Sequence, residues 1–238
     1  MALYYDLHIH SAASPCGADD MTPNNIVNMA IIKHLDIIAV TDHNTSCNLP
    51  AIFKVAKNLG LMFLPGIEVQ TKEEVHMLCY FKEVENAIRF GDIIYDSLPS
   101  IRNDPNLFGN QYIFDEHDNI IGDIEKLLLS SSCFSINELI ECVRKFDGAI
   151  IPAHIDRTSY SIISNLGFIP ENLDIKTVEI SRFSNSAAQL LKTFDTSSLN
   201  IIKSSDAHYL ADISERENSL PINEITMSAI FNYLRGGK

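Results

Sequence analysis

Cysteine is scarce and unpaired in this 238-residue chain: Cys16, Cys47, Cys79, Cys133 and Cys142 are odd in number and none forms a Cys-x-x-Cys pair. That excludes a disulfide framework and a thiolate zinc knuckle, and most of the five read as reduced core residues. Glycine (10) and proline (9) are sparse and no tract is of low complexity, so a fibrous or disordered chain is excluded, while 46% hydrophobic residues suffice for a core. Long apolar runs are missing too. The longest charge-free stretch, Thr158 to Pro170, is too short and too polar to span a bilayer. The start, Met1-Ala2-Leu3-Tyr4-Tyr5-Asp6, has neither a basic flank nor an apolar region of the secretory type, so a cytoplasmic protein is expected. Positive charge is in short supply, with 18 Lys and Arg against 31 Asp and Glu and a net charge of −13. That balance opposes nonspecific docking on long polyanions and disfavours duplex nucleic acid as a partner, leaving a small phosphorylated substrate. Neither a Gly-x-Ser-x-Gly elbow nor a Gly-x-x-x-x-Gly-Lys loop occurs, which removes the usual serine hydrolase and nucleoside triphosphate readings.

What is present is an alternation of short β-branched apolar runs with amphipathic stretches, in a length suited to a single domain over 1–238. Seven strands are expected: Tyr4–His10, Asp36–Thr41, Met62–Val69, Val75–Phe81, Ala149–Ala153, Thr177–Ile180 and Asn200–Ser204. Thr22 before Pro23 opens a helix over Asn24–His34, Pro50 to Leu59 forms another closed by Gly60, and Ser135-Ile136-Asn137-Glu138 is a capping box whose helix ends at Gly148. Further helical patterns cover Ala187–Phe194 and Ile225–Leu234. Repeated βα units of this length suggest a closed or nearly closed barrel, with an open doubly wound sheet as the alternative. Only a short link separates Val69 from Val75, far less than a parallel crossover needs, so those strands form a hairpin that sets His76 beside Glu68. Residues 82–132 fit the barrel pattern least. They read as an insertion with a small hairpin, Gln111-Tyr112-Ile113-Phe114 and Asn119-Ile120-Ile121-Gly122.

Histidine placement carries most of the functional information, because imidazole and carboxylate together form the usual ligand set of zinc, manganese or iron. In a strand, His8 and His10 face the same side, inward, while Ile9 packs outward. Thr41-Asp42-His43 ends the second strand, Glu68 the third, His154 follows the fifth and Asp206-Ala207-His208 the last, with His76 brought in by the hairpin. Six of the eight histidines thus map to one expected rim. The ordinary alternative for each is a hydrogen-bonded core histidine, but so many acids and imidazoles crowded together are costly without cations. His34, near a helix end, and His117, in a charged turn, are expected in solvent. Asp6 and Asp42 either hold a ligand's other nitrogen or cap strand-end backbone.

The ordered set Asp6-Leu7-His8-Ile9-His10-Ser11, Thr41-Asp42-His43, Gly66-Ile67-Glu68, Val75-His76, Pro152-Ala153-His154 and Ser205-Asp206-Ala207-His208 resembles the polymerase and histidinol phosphatase (PHP) domain family of metal-dependent phosphoesterases. The resemblance implies an α/β fold, a distorted seven-stranded (βα)7 TIM-like barrel with an inserted helix and hairpin segment. It implies two or three divalent metal ions (Mn, Fe or Zn) at the rim. His8, His10, Glu68 and Asp206 would hold the first, Glu68, His76 and His154 the second with Glu68 bridging, and His43 and His208 the third. Family members place a histidine or aspartate in the loop after the first strand; here that loop reads Ser14-Pro15-Cys16-Gly17-Ala18-Asp19-Asp20. Cys16, Asp19 or Asp20 can stand in, and Asp20 is taken as the ligand. The competing role for the two aspartates is to sit ahead of the helix opened at Thr22 and favour its dipole.

The expected chemistry is attack of a metal-bridging hydroxide on phosphorus, since metals about 3.5–4 Å apart lower the pKa of a shared water toward about 7 and offset phosphoryl charge. Glu68 is the central group of that catalysis, and a third metal or His208 steadies the leaving oxygen. Arg157 is the candidate grip on phosphate, against a plain surface ion pair, and Arg182 is a weaker candidate for which the structural role is favoured. The substrate class expected is a small phosphorylated metabolite or nucleotide. The alternatives are a metal-dependent nuclease or proofreading unit and a metal-bound regulatory module without turnover. The oligomeric state is left open.

Overall fold

The computed structural model describes residues 2–182 and 199–237. All seven expected strands are present: β1 (Leu3–Ile9), β2 (Ile37–Val40), β3 (Met62–Gln70), β4 (His76–Tyr80), β7 (Ala149–Pro152), β8 (Thr177–Ser181) and β9 (Asn200–Ser204). The expected short hairpin is β5 (Tyr112–Phe114) with β6 (Ile120–Asp123), and a two-residue strand, β10 (Ser219–Leu220), was not anticipated. Hydrogen bonding orders the main sheet β10-β1-β2-β3-β4-β7, with β5-β6 and β8-β9 as separate pairs. The architecture is therefore α/β with a curled, half-barrel sheet of six strands, and the continuous seven-stranded ladder expected from the sequence is not what the hydrogen bonds form. The parallel pair β8-β9 approaches the sheet through a few bonds: Ile155 N–H to the Glu179 carbonyl at 2.9 Å, and, just after β9, His10 N–H to the Ala207 carbonyl at 2.9 Å and Ala207 N–H to the His8 carbonyl at 3.3 Å.

Local chemistry explains the helices. In α1 (Pro23–Ile32) Thr22 caps with proline at the first position, and α5 (Ile136–Lys145) opens on the Ser135/Glu138 capping box. In α2 (Leu49–Leu59) the end is set by Gly60 at φ 74°, a left-handed conformation that suits glycine. The remaining helices are α3 (Val84–Ser97), α4 (Pro105–Phe108), α6 (Ile162–Leu166) and α7 (Met227–Leu234). The helix expected over Ala187–Phe194 lies outside the described residues. Ile26, Val27, Ile52, Val55, Phe90 and Leu139 pack these helices onto one face of the sheet with Ile9, Ile38, Val40 and Ile67. On the other face Leu3, Tyr5, Leu7, Leu64, Leu78 and Ile151 close over Ile230 and Phe231 of α7. Each such side chain, fully buried, contributes about 1.5–3 kcal/mol, so the wall that carries the site is stiff.

Within 82–132, Ala87, Phe90 and Ile94 of α3 are fully buried in the main core, which Phe114 of β5 joins. The hairpin is tied to the loop after β1: Tyr112 N–H donates to Ala12 at 2.8 Å, while Asn48 donates to Ser11 Oγ at 2.9 Å and accepts from Phe114 N–H at 2.9 Å.

Candidate metal centre

Six histidines, from His8 to His208, converge around one buried carboxylate, Glu68. The hairpin expected between Val69 and Val75 delivers it: β3 and β4 pair antiparallel with Gln70 opposite His76. Glu68 Oε1 lies 3.0 Å from His76 Nδ1, 3.2 Å from His154 Nε2 and 3.3 Å from His8 Nε2. Its Oε2 lies 3.0 Å from His43 Nδ1 and 3.4 Å from His10 Nε2. Asp206 Oδ1 adds contacts of 3.0 Å to His10 and 3.2 Å to His8. Ligand-type atoms fall into overlapping groups, His8/His10/Glu68, His43/Glu68/His76 and His10/His43/His208, each within 4.8 Å.

The hydrogen bonds around the rings fix which nitrogen faces the centre. Both oxygens of Glu179 approach His8 Nδ1, at 2.9 and 3.1 Å, so this nitrogen carries the proton and Nε2 turns its lone pair inward. Ser14 Oγ donates to Asp42 at 2.7 Å and therefore accepts from His10 Nδ1 at 3.0 Å, which aims His10 Nε2 inward as well. His208 Nδ1 donates to the Asp206 carbonyl at 2.9 Å, with the same result. His8 Nε2 and His10 Nε2 then face each other at 3.2 Å, and Glu68 Oε2 is buried without a hydrogen bond. Converging lone pairs beside an unsatisfied carboxylate oxygen are unfavourable unless a positive charge sits among them, and divalent cations fit this donor set.

The electrostatics agree. Burial opposes ionisation of Glu68, yet His76, His8 and His43 hold it well below the usual carboxylate range. Burial alone would push His8 down; Glu179, Asp206 and Glu68 overcome it and hold His8 well above the usual imidazole value, so without a cation its Nε2 also carries a proton, which a bound cation would displace to free the inward lone pair. Burial likewise opposes ionisation of the Cys16 thiol, which hydrogen bonds with His208 and His43 bring down to about 6. Two residues of the centre adopt positive φ: His154 at 29° and Asp206 at 52°. The His154 conformation is held by its own N–H on Glu179 Oε2 at 3.0 Å and its carbonyl on Arg157 N–H at 2.9 Å.

The structure thus gathers His8, His10, His43, Glu68, His76, His154, Asp206 and His208. Asp20 is not gathered. Its side chain is exposed, and Cys16 from the same loop approaches instead, Sγ lying 3.1 Å from His208 Nε2. The loop turns at Gly17, which sets the exposed Cys16 against His208 and leaves Asp19 and Asp20 to face solvent away from the centre. Nor are most of the cysteines sealed in the core, since Cys79 alone of the five is fully buried. Asp42 accepts from Ser11 and Ser14 and so acts on His10 through Ser14. Asp6 caps the N–H groups of Ser205 and Ser214. Its parity with His8 fails because the register of β1 on β2 slips between Asp6 and Ile9. His34 and His117 are exposed, as expected. Arg157 Nη2 lies 2.5 Å from Asp206 Oδ2 and is half-exposed, and Arg182 donates to the Asp212 carbonyl at 2.6 Å. Glu179 escaped the sequence reading, although Val178 and Ile180 pack outward and strand parity turns the residue between them inward.

The sequence pattern of the PHP domain matches residues 6–224. The chain belongs to the PHP domain family. It is 35% identical over 77 residues to the 5′-3′ exoribonuclease Rnm of Salmonella typhimurium, a match covering 32% of this chain and 25% of that protein. The chain thus spans about a quarter of the length of that curated relative. Among solved structures it resembles the lesion-specific endonuclease PfuEndoQ from Pyrococcus furiosus, with TM-score 0.69 and 20% identity over 99% of this chain and 56% of the other. It also resembles an Endonuclease Q complex with a 27-mer duplex carrying an abasic lesion, with TM-score 0.66 and 19% identity over 99% of this chain and 57% of the other. These relatives correct the expectation of a small phosphorylated substrate and of duplex nucleic acid as disfavoured, because by name they act on nucleic acid. The charge argument failed because it summed over the whole chain. Asp6, Asp42, Glu68, Glu179 and Asp206 lie inside the centre or behind it and do not present their charge on the surface. No helix among the described residues is long and apolar enough to cross a membrane.

Proposed function

We propose that this chain is a metal-dependent nuclease that hydrolyses phosphodiester bonds of nucleic acid. The single observation behind the proposal is the convergence of six imidazoles on Glu68 and Asp206 with their lone pairs turned inward. When bound, divalent cations there supply Lewis-acid activation of water and neutralise phosphoryl oxygens. In the same proposal two or three ions are held by His8, His10, Glu68 and Asp206, by Glu68, His76 and His154, and by His43 with His208. The chain's own groups do the positioning. Arg157, released from Asp206, grips a non-bridging oxygen. His208, less buried than the other five, would act on the leaving oxygen through the cation it holds. Tyr160 lies with its ring 4.8 Å from that of His76, stacked at 19°, and is 46% exposed, so it offers a face to a nucleobase.

End-labelled single-stranded RNA and DNA and their duplexes, incubated with protein loaded with manganese, iron or zinc, test the reading. Cleavage that falls at least about 100-fold in Glu68→Gln is expected, in line with loss of a group that stabilises transition-state charge. Loaded protein that cleaves none of these oligonucleotides overturns it and favours a metal-bound module without turnover.

A further inference from the structure

The third group of ligand atoms, His10, His43 and His208, has no acid of its own beyond Glu68, yet a thiol stands at its edge. We propose that Cys16 is a metal ligand in this chain, its sulfur joining His43 and His208 to make a site for a thiophilic cation such as zinc or iron(II) rather than manganese or magnesium. The inference rests on the reading of the cluster as a metal centre and adds to it the ligand that gives one position its metal preference.

Geometry supports it. His208 has used Nδ1–H on the Asp206 carbonyl, so the nitrogen 3.1 Å from Cys16 Sγ is the one with a lone pair. Tetrahedral zinc with a sulfur at about 2.3 Å and a nitrogen at about 2.0 Å sets those two atoms about 3.5 Å apart, close to the separation already present. The backbone holds them there independently of any side chain: Ala18 N–H donates to the His208 carbonyl at 2.9 Å and Gly17 N–H to the Ser14 carbonyl at 2.8 Å. The turn admits only glycine at 17, since an added Cβ would meet the Ser11 carbonyl oxygen at 2.7 Å. A second feature points to a cation at the same place. Glu68 Oε2, buried and without a hydrogen bond, lies 3.0 Å from His43 Nδ1. The rival ligands from this loop are turned elsewhere, Asp19 onto the Asn110 amide at 3.0 Å and Asp20 into solvent. A thiolate among imidazoles favours the softer divalent ions, whereas an aspartate in that position would favour manganese or magnesium.

Cobalt(II) reconstitution of the chelator-stripped protein tests the proposal with optical readouts. Visible ligand-field bands report cobalt in the centre, and a near-ultraviolet thiolate-to-cobalt charge-transfer band reports sulfur bound to it. Wild type and Cys133→Ser are expected to show both. Cys16→Ser and Cys16→Asp are expected to keep the visible bands and lose the charge-transfer band, and Cys16→Asp to shift competition between zinc and manganese toward manganese by about tenfold or more. Zinc X-ray absorption gives an independent reading: a sulfur scatterer at about 2.3 Å in wild type, absent from both variants. Visible bands without charge transfer in wild type overturn Cys16 as a ligand and leave the metal centre standing. A charge-transfer band that survives in Cys16→Ser overturns the proposal by assigning the sulfur elsewhere. Failure of wild type to take up cobalt or zinc at all overturns both readings.

Discussion

Replacing Glu179 by glutamine probes how the metal centre is held without touching a proposed ligand. In the native arrangement one carboxylate does two jobs: its oxygens accept from His8 Nδ1 at 2.9 and 3.1 Å, and Oε2 also accepts from His154 N–H at 3.0 Å. Glutamine with its amide oxygen in the Oε2 position keeps the bonds to His8 Nδ1 and His154 N–H, but its NH2 group then faces His8 Nδ1 from the Oε1 position, donor against donor inside a closed core. Leaving a buried donor unpaired costs about 1–3 kcal/mol, and the metal-free protein should be less stable by that amount in chemical denaturation. Outer partners of metal-bound histidines typically contribute 10–100-fold to affinity, which at 1.36 kcal/mol per decade is about 1.4–2.7 kcal/mol. Zinc affinity measured by competition with a chromophoric chelator should fall by that factor, while Glu68 and the ligand rings remain in place. Wild-type affinity in Glu179→Gln would show that His8 is not a ligand oriented by this carboxylate.

Other expectations follow from the same geometry. Arg157→Ala should raise KM for an oligonucleotide and lower kcat/KM about 10–100-fold, from the loss of charged hydrogen bonds of about 1.5–3 kcal/mol. Its ion pair with Asp206 is half-exposed, so chemical denaturation should register a change of less than about 1 kcal/mol. Metal affinity should rise with pH: His8 and His43 are held above the usual imidazole value of about 6.5, a cation must displace their protons, and acidification therefore favours the metal-free form. Calorimetry in buffers of different ionisation heat should show net proton release on binding near neutrality, and zero release would contradict those proton positions. Gly17→Ala should cost about 1–3 kcal/mol in chemical denaturation, because its Cβ meets carbonyl oxygens at 2.7 and 3.2 Å; an unchanged midpoint would show that the turn yields.

Much of the centre was legible because strand periodicity is local. His8 and His10 share a face by simple alternation, and the short link between Val69 and Val75 allows nothing but a hairpin, so Glu68 and His76 had to meet. What depended on distant geometry was not. The register slip within β1 broke the parity that linked Asp6 to His8, and the meeting of Glu179 with His8 requires β8 to lie across from β1. The turn at Gly17, which sets Cys16 against His208 and points Asp20 away, is set by contacts with Ser11, Ser14 and His208. Closure of the sheet was overestimated for a similar reason. The seven runs of apolar residues identify strands, but whether β8 and β9 join one ladder depends on how the sheet curls.

Elemental analysis of the protein purified without chelator bears most directly on the assignment of Glu68 and its six histidines as a cation site. Two or three equivalents of manganese, iron or zinc per chain are predicted; less than one equivalent, in protein whose fold is intact, would contradict it.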